Sequence, residues 1–173
     1  MTAAIDHPRP ASAGTLLSRR FPLTDLPVWL LLVLVSLGVP RTILADLNIV
    51  PPESGPLYYI LALVPFTAWL AVAAMRRSRR PLADFLMVGL LYGLSLVIIH
   101  LALWDARAGY GNLPPAGAAE FADGFGPGWG EVALPAYAAG IATMIGLGSG
   151  LVVGLCAVTA NAWRRRRARA SRS

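Results

Sequence analysis

Four apolar runs, each about as long as a helix needs to be to cross a bilayer, alternate along this chain with arginine clusters and acidic segments. A membrane's hydrocarbon core is about 30 Å thick, so a spanning helix takes roughly 20 mostly apolar residues. The runs at about 28–47, 57–75, 85–104 and 134–158 meet that length. In lipid, every backbone polar group must bond within the protein. No run shows the ten-residue alternation of a barrel strand, so helices follow. Composition agrees: 14% of the 173 residues are charged, where a soluble domain needs about 25% to cover its surface. The predicted fold class is an all-α integral membrane protein, a four-transmembrane-helix up-down bundle.

Arginine sets the direction, because short loops rich in basic residues stay in the cytoplasm. Arg9, Arg19 and Arg20 precede the first run. Arg76, Arg77, Arg79 and Arg80 separate the second from the third. Arg164 to Arg167, Arg169 and Arg172 follow the fourth. The other side holds only Arg41 and Arg107, with Asp46, Glu53, Asp105, Glu120, Asp123 and Glu131. Both termini are therefore expected in the cytoplasm. Trp29 and Trp163 then fall at the inner boundary and Trp104 and Trp129 at the outer one, the levels indole rings favour. The expected location is the inner (plasma) membrane of a bacterial cell, crossed several times. A cleaved signal peptide competes for the first run, but about 27 residues precede it and no small-x-small cleavage site follows. All fifteen basic residues are arginine, which codon bias in a GC-rich genome explains.

The chain divides into a loose cytoplasmic extension over 1–25, a membrane domain over 26–163 and a basic tail over 164–173. Proline punctuates the spans. Pro40-Arg41 interrupts the first, Pro65 lies inside the second, and Pro135 falls in the first turn of the fourth, where it is tolerated. Asp84, after Arg80-Pro81, reads as the amino-terminal cap of the third span. The outer loop, 105–131, holds seven glycines and cannot build a core of its own. It is either a slack connector or a lid held down by Tyr110, Phe121, Phe125 and Trp129, with a turn or two of surface helix over 116–122.

Close helix contact in lipid relies on small residues. Ala142, Gly146, Gly150 and Gly154 recur every four residues and so share one helix face. The third span adds Gly89 and Gly93. We expect these two faces to meet. The Gly146-x-Gly148-x-Gly150 run is not a nucleotide loop, since no strand precedes it and its spacing departs from GxGxxG. Ser149 lacks the flanking pattern and the histidine partner of an intramembrane protease. The lone Cys156 excludes an internal disulfide and a cysteine-rich zinc site. No metal and no cofactor is expected.

Ionisable groups at membrane depth are costly and mark candidate sites. At about 1.5 Å per residue, Arg41 and His100 both fall roughly 20 Å across, on different helices. Tyr137 is expected near that level, Tyr58 and Tyr59 a turn further out, and Asp46, Glu53 and Asp105 above them. Arg41 would hold an anionic group there, and His100 would bind or relay a proton. The alternative is structural: Arg41 snorkels to the headgroups, and His100 satisfies a tyrosine or a carbonyl freed by proline.

Arg76, Arg77, Arg79, Arg80, Arg164, Arg165, Arg166 and Arg167 read as anchors for anionic lipid headgroups at the cytoplasmic face, worth about 1 kcal/mol each. A nucleic-acid arm is set aside because no aromatics interleave. Partners expected are the bilayer and either a membrane-protein partner or a second copy. Three functional classes follow. A non-catalytic scaffold or accessory subunit is favoured because no metal cluster, paired carboxylates or activated nucleophile stands out. A small transporter or channel would use Arg41 and His100, with Pro40 and Pro65 breaking helices as transport sites do. A lipid-headgroup enzyme would use His100 and Asp105 as acid and base.

Overall fold

The computed structural model describes residues 23–51, 55–126 and 128–171. Most of the 1–25 extension with Arg9, Arg19 and Arg20, together with Glu53 and Arg172, lies outside the described residues. The regular elements are helices: α1 (Val28–Ser36), α2 (Val39–Asp46), α3 (Pro56–Met75), α4 (Pro81–Ala102), α5 (Ala116–Asp123) and α6 (Gly130–Ala170). Four stretches are long and apolar enough to cross a membrane: α1 with α2, α3, α4 and α6. That is the mark of a multi-pass membrane protein.

Proline places the break in the first stretch earlier than the sequence suggested. A proline removes its own N–H and its ring clashes with the carbonyl four residues back. Helix α1 therefore ends at Ser36, and α2 restarts at Val39 with Pro40 in its first turn. The chain breaks at Leu37-Gly38, not at Pro40-Arg41. Gly38 donates its N–H to Val35 rather than Leu34. The Leu34 carbonyl is taken instead by the indole Nε1 of Trp69, at 2.9 Å. One fully buried side chain on α3 thus ties itself to the kink in the first stretch. At the far end of α2, Asn48 adopts φ 55°. Its N–H reaches Ala45 and that of Ile49 reaches Leu44. This is a Schellman cap with asparagine in the left-handed position glycine usually takes.

The two small-residue faces meet. A Cβ on Gly89 would stand 2.9 Å from the Gly150 Cα, one on Gly93 3.0 Å from the Ala142 carbonyl oxygen, and one on Gly154 2.9 Å from Leu82. As the numbers rise on α4 they fall on α6, so these helices run antiparallel in backbone contact. Leu31, Leu34, Trp69, Phe85, Val88 and Tyr92 form the main buried cluster beside that seam. Elsewhere large apolar side chains such as Leu63, Met144 and Val152 point outward, as lipid-facing surfaces do.

One expectation about a helix end is corrected, and one helix outruns its apolar stretch. Pro81, with its preset φ, opens α4 three residues before Asp84. Asp84 is therefore no cap: it is fully buried in the first turn, and its Oδ1 accepts the Asp25 N–H at 2.7 Å. Helix α6 runs 41 residues, so the helix extends past the apolar run of about 134–158 at both ends. The basic tail continues it, because nothing after Trp163 breaks a helix and arginine is a good helix former.

Candidate functional site

Helix spacing assembles a polar cavity at the end of the bundle where α2 and α4 finish. On α2, Arg41 and Ala45 share one row and Thr42 and Asp46 the next. On α4, Tyr92, Leu96 and His100 stand four apart on a single face. These faces, with Tyr58 from the first turn of α3 and Ile145 from α6, enclose about 500 Å³. That lies within the ~300–1,000 Å³ usual for small-molecule sites.

At its polar end Asp46 Oδ2 and His100 Nδ1 share a hydrogen bond of 2.8 Å, with 7% of one side chain and 16% of the other exposed. Such withdrawal from solvent strengthens the bond. Arg41 meets no carboxylate among the described residues. Its Nη2 donates to the Tyr58 hydroxyl, and its guanidinium carbon lies 4.8 Å from the Tyr58 ring centre. Tyr92 also lies within its hydrogen-bonding reach, so two phenols, and no acid among the described residues, face a group with five N–H donors.

The segment after α4 folds over this site. The Ala108 N–H donates to the Asp46 carbonyl at 2.9 Å, so the loop is tied to α2 at the residue that holds His100. Tyr110 stands edge-on to His100, with centroids 4.9 Å apart, and stacks on Trp104. Burial pushes the Tyr110 phenol above its ordinary value, with Asp46 and Tyr137 adding to the shift. The phenol therefore stays protonated at neutral pH and remains a donor. Asn112 Nδ2 donates to the Asp105 and Ala106 carbonyls, both at 2.8 Å. Gly111 is needed where it is: a Cβ would lie 2.6 Å from the Trp104 ring. Further along, α5 packs on α6 with Phe121 tilted against Tyr137 at 5.3 Å.

Of the five residues picked for a polar site, the structure brings Arg41, Asp46 and His100 together. Tyr137 does not line the cavity but sits under α5. Asp105 is exposed on the loop and does not line it either, so His100 meets Asp46 where the enzyme reading had paired it with Asp105. Tyr92 was not among the expected residues, and Tyr110 was expected only as an anchor of the outer loop. The i, i+4, i+8 spacing of Tyr92, Leu96 and His100 was a usable signal for the first. Nothing local marked the second as a neighbour of His100, which it reaches only through the loop's fold. Among the described residues, no three of His, Cys, Asp and Glu gather as a metal site would need. Comparison with known proteins found no matching family model, no matching curated protein and no matching solved structure.

Proposed function

We propose that this chain is a multi-pass protein of the bacterial inner membrane that binds an amphipathic anion in the Arg41 cavity, open to the outer side. The observation that carries the reading is the guanidinium of Arg41, half-buried with no carboxylate partner among the described residues, beside apolar walls from Leu96, Leu113 and Ile145. A buried charge without a counter-charge is costly, and a ligand's acidic head relieves that cost while its apolar body lies against the walls. His100 and Asp46 set the polar end of the cavity, and the Ala108–Tyr110 segment closes over it. This favours the ligand-handling reading over a purely structural one.

The test uses octyl phosphate as probe and octanol as its uncharged match. Trp104 stacks on Tyr110 at the site, so tryptophan fluorescence of the protein in nanodiscs is the readout. Octyl phosphate is expected to give a saturable change that octanol does not. Arg41→Gln is expected to weaken it about tenfold, the effect of one charge-assisted hydrogen bond. An unchanged titration in the variant removes the proposal.

The orientation belongs to the same reading: an up-down bundle with both termini in the cytoplasm, supported by the arginine distribution. A reporter fused after Ser173 is expected to stay shielded from protease added to spheroplasts, whose outer membrane has been opened; cleavage there reverses the direction. The accessory-subunit reading draws on another surface, the shallow groove along Leu86, Gly140, Met144, Leu147 and Gly148 on the open side of α6. Recovery of one fixed partner protein after mild detergent extraction, with no octyl phosphate response, would favour it instead.

A further inference from the structure

The opposite end of the bundle is built around arginine. Helix α3 stops at Met75 because Arg76 is extended, which leaves carbonyls without intrahelical donors. Arg164 of α6 supplies them: its guanidinium donates to the Ala74 and Arg76 carbonyls and to Asn161 Oδ1. Asn161 Nδ2 in turn donates to the Ser78 carbonyl at 3.3 Å. From the other side, Asp25 Oδ2 accepts the Arg79 N–H at 2.8 Å and the Ser78 hydroxyl at 3.2 Å. The 76–80 segment is fixed against α6 by its backbone, and Arg76 adds a bond from Nη2 to the Asp25 carbonyl at 3.3 Å; Arg77 and Arg79 turn to the space beside α6.

Those side chains border a cleft of about 380 Å³. Arg77 and Arg79 form one wall and Arg165 the other, with Asn161 and Arg164 between. Positions 161, 164, 165 and 168 lie on one helix face, whereas Arg166 and Arg169 do not line the cleft. Among the described residues no carboxylate lines it; Asp25 sits in the adjoining recess, with Arg76, Arg77 and Arg79. The Nε of Arg164 is buried with no partner among the described residues. Four guanidinium groups around one void repel each other, and an anion relieves that repulsion. Their planar forks match the paired oxygens of phosphate.

We propose that this cleft is a phosphate site at the membrane surface, built to hold the phosphate of an anionic phospholipid or a free phosphate in a defined place. It is distinct from a general attraction between basic residues and an acidic membrane, and it is independent of the Arg41 cavity. The full chain in neutral detergent is offered phosphatidylglycerol against phosphatidylcholine, with retained lipid read by native mass spectrometry. Inorganic phosphate is titrated separately, with thermal unfolding as the readout. One phosphatidylglycerol per chain, or a saturable stabilisation by phosphate, is expected. The first result names the lipid as the source and the second the free ion. Arg79→Gln with Arg165→Gln is expected to weaken that binding at least about tenfold. Arg166→Gln with Arg169→Gln removes the same charge outside the cleft and is expected to leave it intact. Among the described residues neither Arg79 nor Arg165 bonds the loop through its guanidinium, and Arg77→Gln is a second variant should the pair misfold. Equal losses in both double variants, or no preference for either phosphate form, would overturn the proposal.

Discussion

Gly146→Ala is expected to destabilise the bundle by about 1–3 kcal/mol, the usual cost of overpacking a tight contact, while Gly148→Ala on the same helix stabilises it or does nothing. A methyl on Gly146 would stand 2.6 Å from both the Cα and N of Gly93. Those are backbone atoms of a helix, so no rotamer change makes room. The helices must part, and parting loosens the contacts of Gly89 and Gly150 as well. At Gly148 nothing lies within 4 Å of the added carbon. There the only effect is propensity, which favours alanine by roughly 1 kcal/mol. The two substitutions are chemically identical and their signs differ. Thermal unfolding of both variants in the same detergent decides the matter, and matching midpoints would show that the glycine seam does not hold α4 to α6.

The second large effect is an asymmetry in the buried pair. His100→Ala leaves the Asp46 carboxylate, 7% exposed, without its side-chain partner, and an unpaired buried charge is expensive. The expected cost is about 3 kcal/mol, toward the lower end of what breaking a buried pair removes. Asp46→Ala leaves an imidazole, which can stay neutral, and is expected to cost about 1–2 kcal/mol, the loss of one hydrogen bond. The double variant should cost less than the two added together, because each single change already breaks the same contact. Additive losses would mean that the 2.8 Å contact carries no coupling. Because the Asp46 carbonyl also holds the Ala108 N–H, both single variants should loosen the 103–115 segment, and faster amide exchange there would report it.

Much of the fold could be read from the sequence because hydropathy and helix period are local. The four apolar stretches and the small-residue faces both follow from spacing alone. The break in the first stretch was misplaced by three residues because the motif Pro40-Arg41 catches the eye, while a proline acts on the turn before it. Asp84 was misread for a related reason. Its residue type suits a cap, yet Pro81 had already started the helix, and the carboxylate was left for Asp25, 59 positions away. For the site, depth counting put Arg41 and His100 at one level, but depth says nothing about azimuth. Asp46 rather than Asp105 meets His100 because the C-terminal turn of α2 faces α4, a fact set by tertiary packing. The Arg164 network was illegible for the same reason: four successive arginines look alike in sequence, and only the open carbonyls of α3 single one out.

The unbroken length of α6 carries a consequence for the whole molecule. Its 41 residues make a rod about 60 Å long, roughly twice the hydrocarbon slab. Its length exceeds the slab by about 30 Å, and its charged residues lie only at its ends, Glu131 at one and Arg164 onward at the other. Sinking the rod would drag guanidinium into hydrocarbon, and raising it would strip lipid from the leucines and valines around the seam. The helix thus works as a plumb line, setting the height at which every other part of the protein floats.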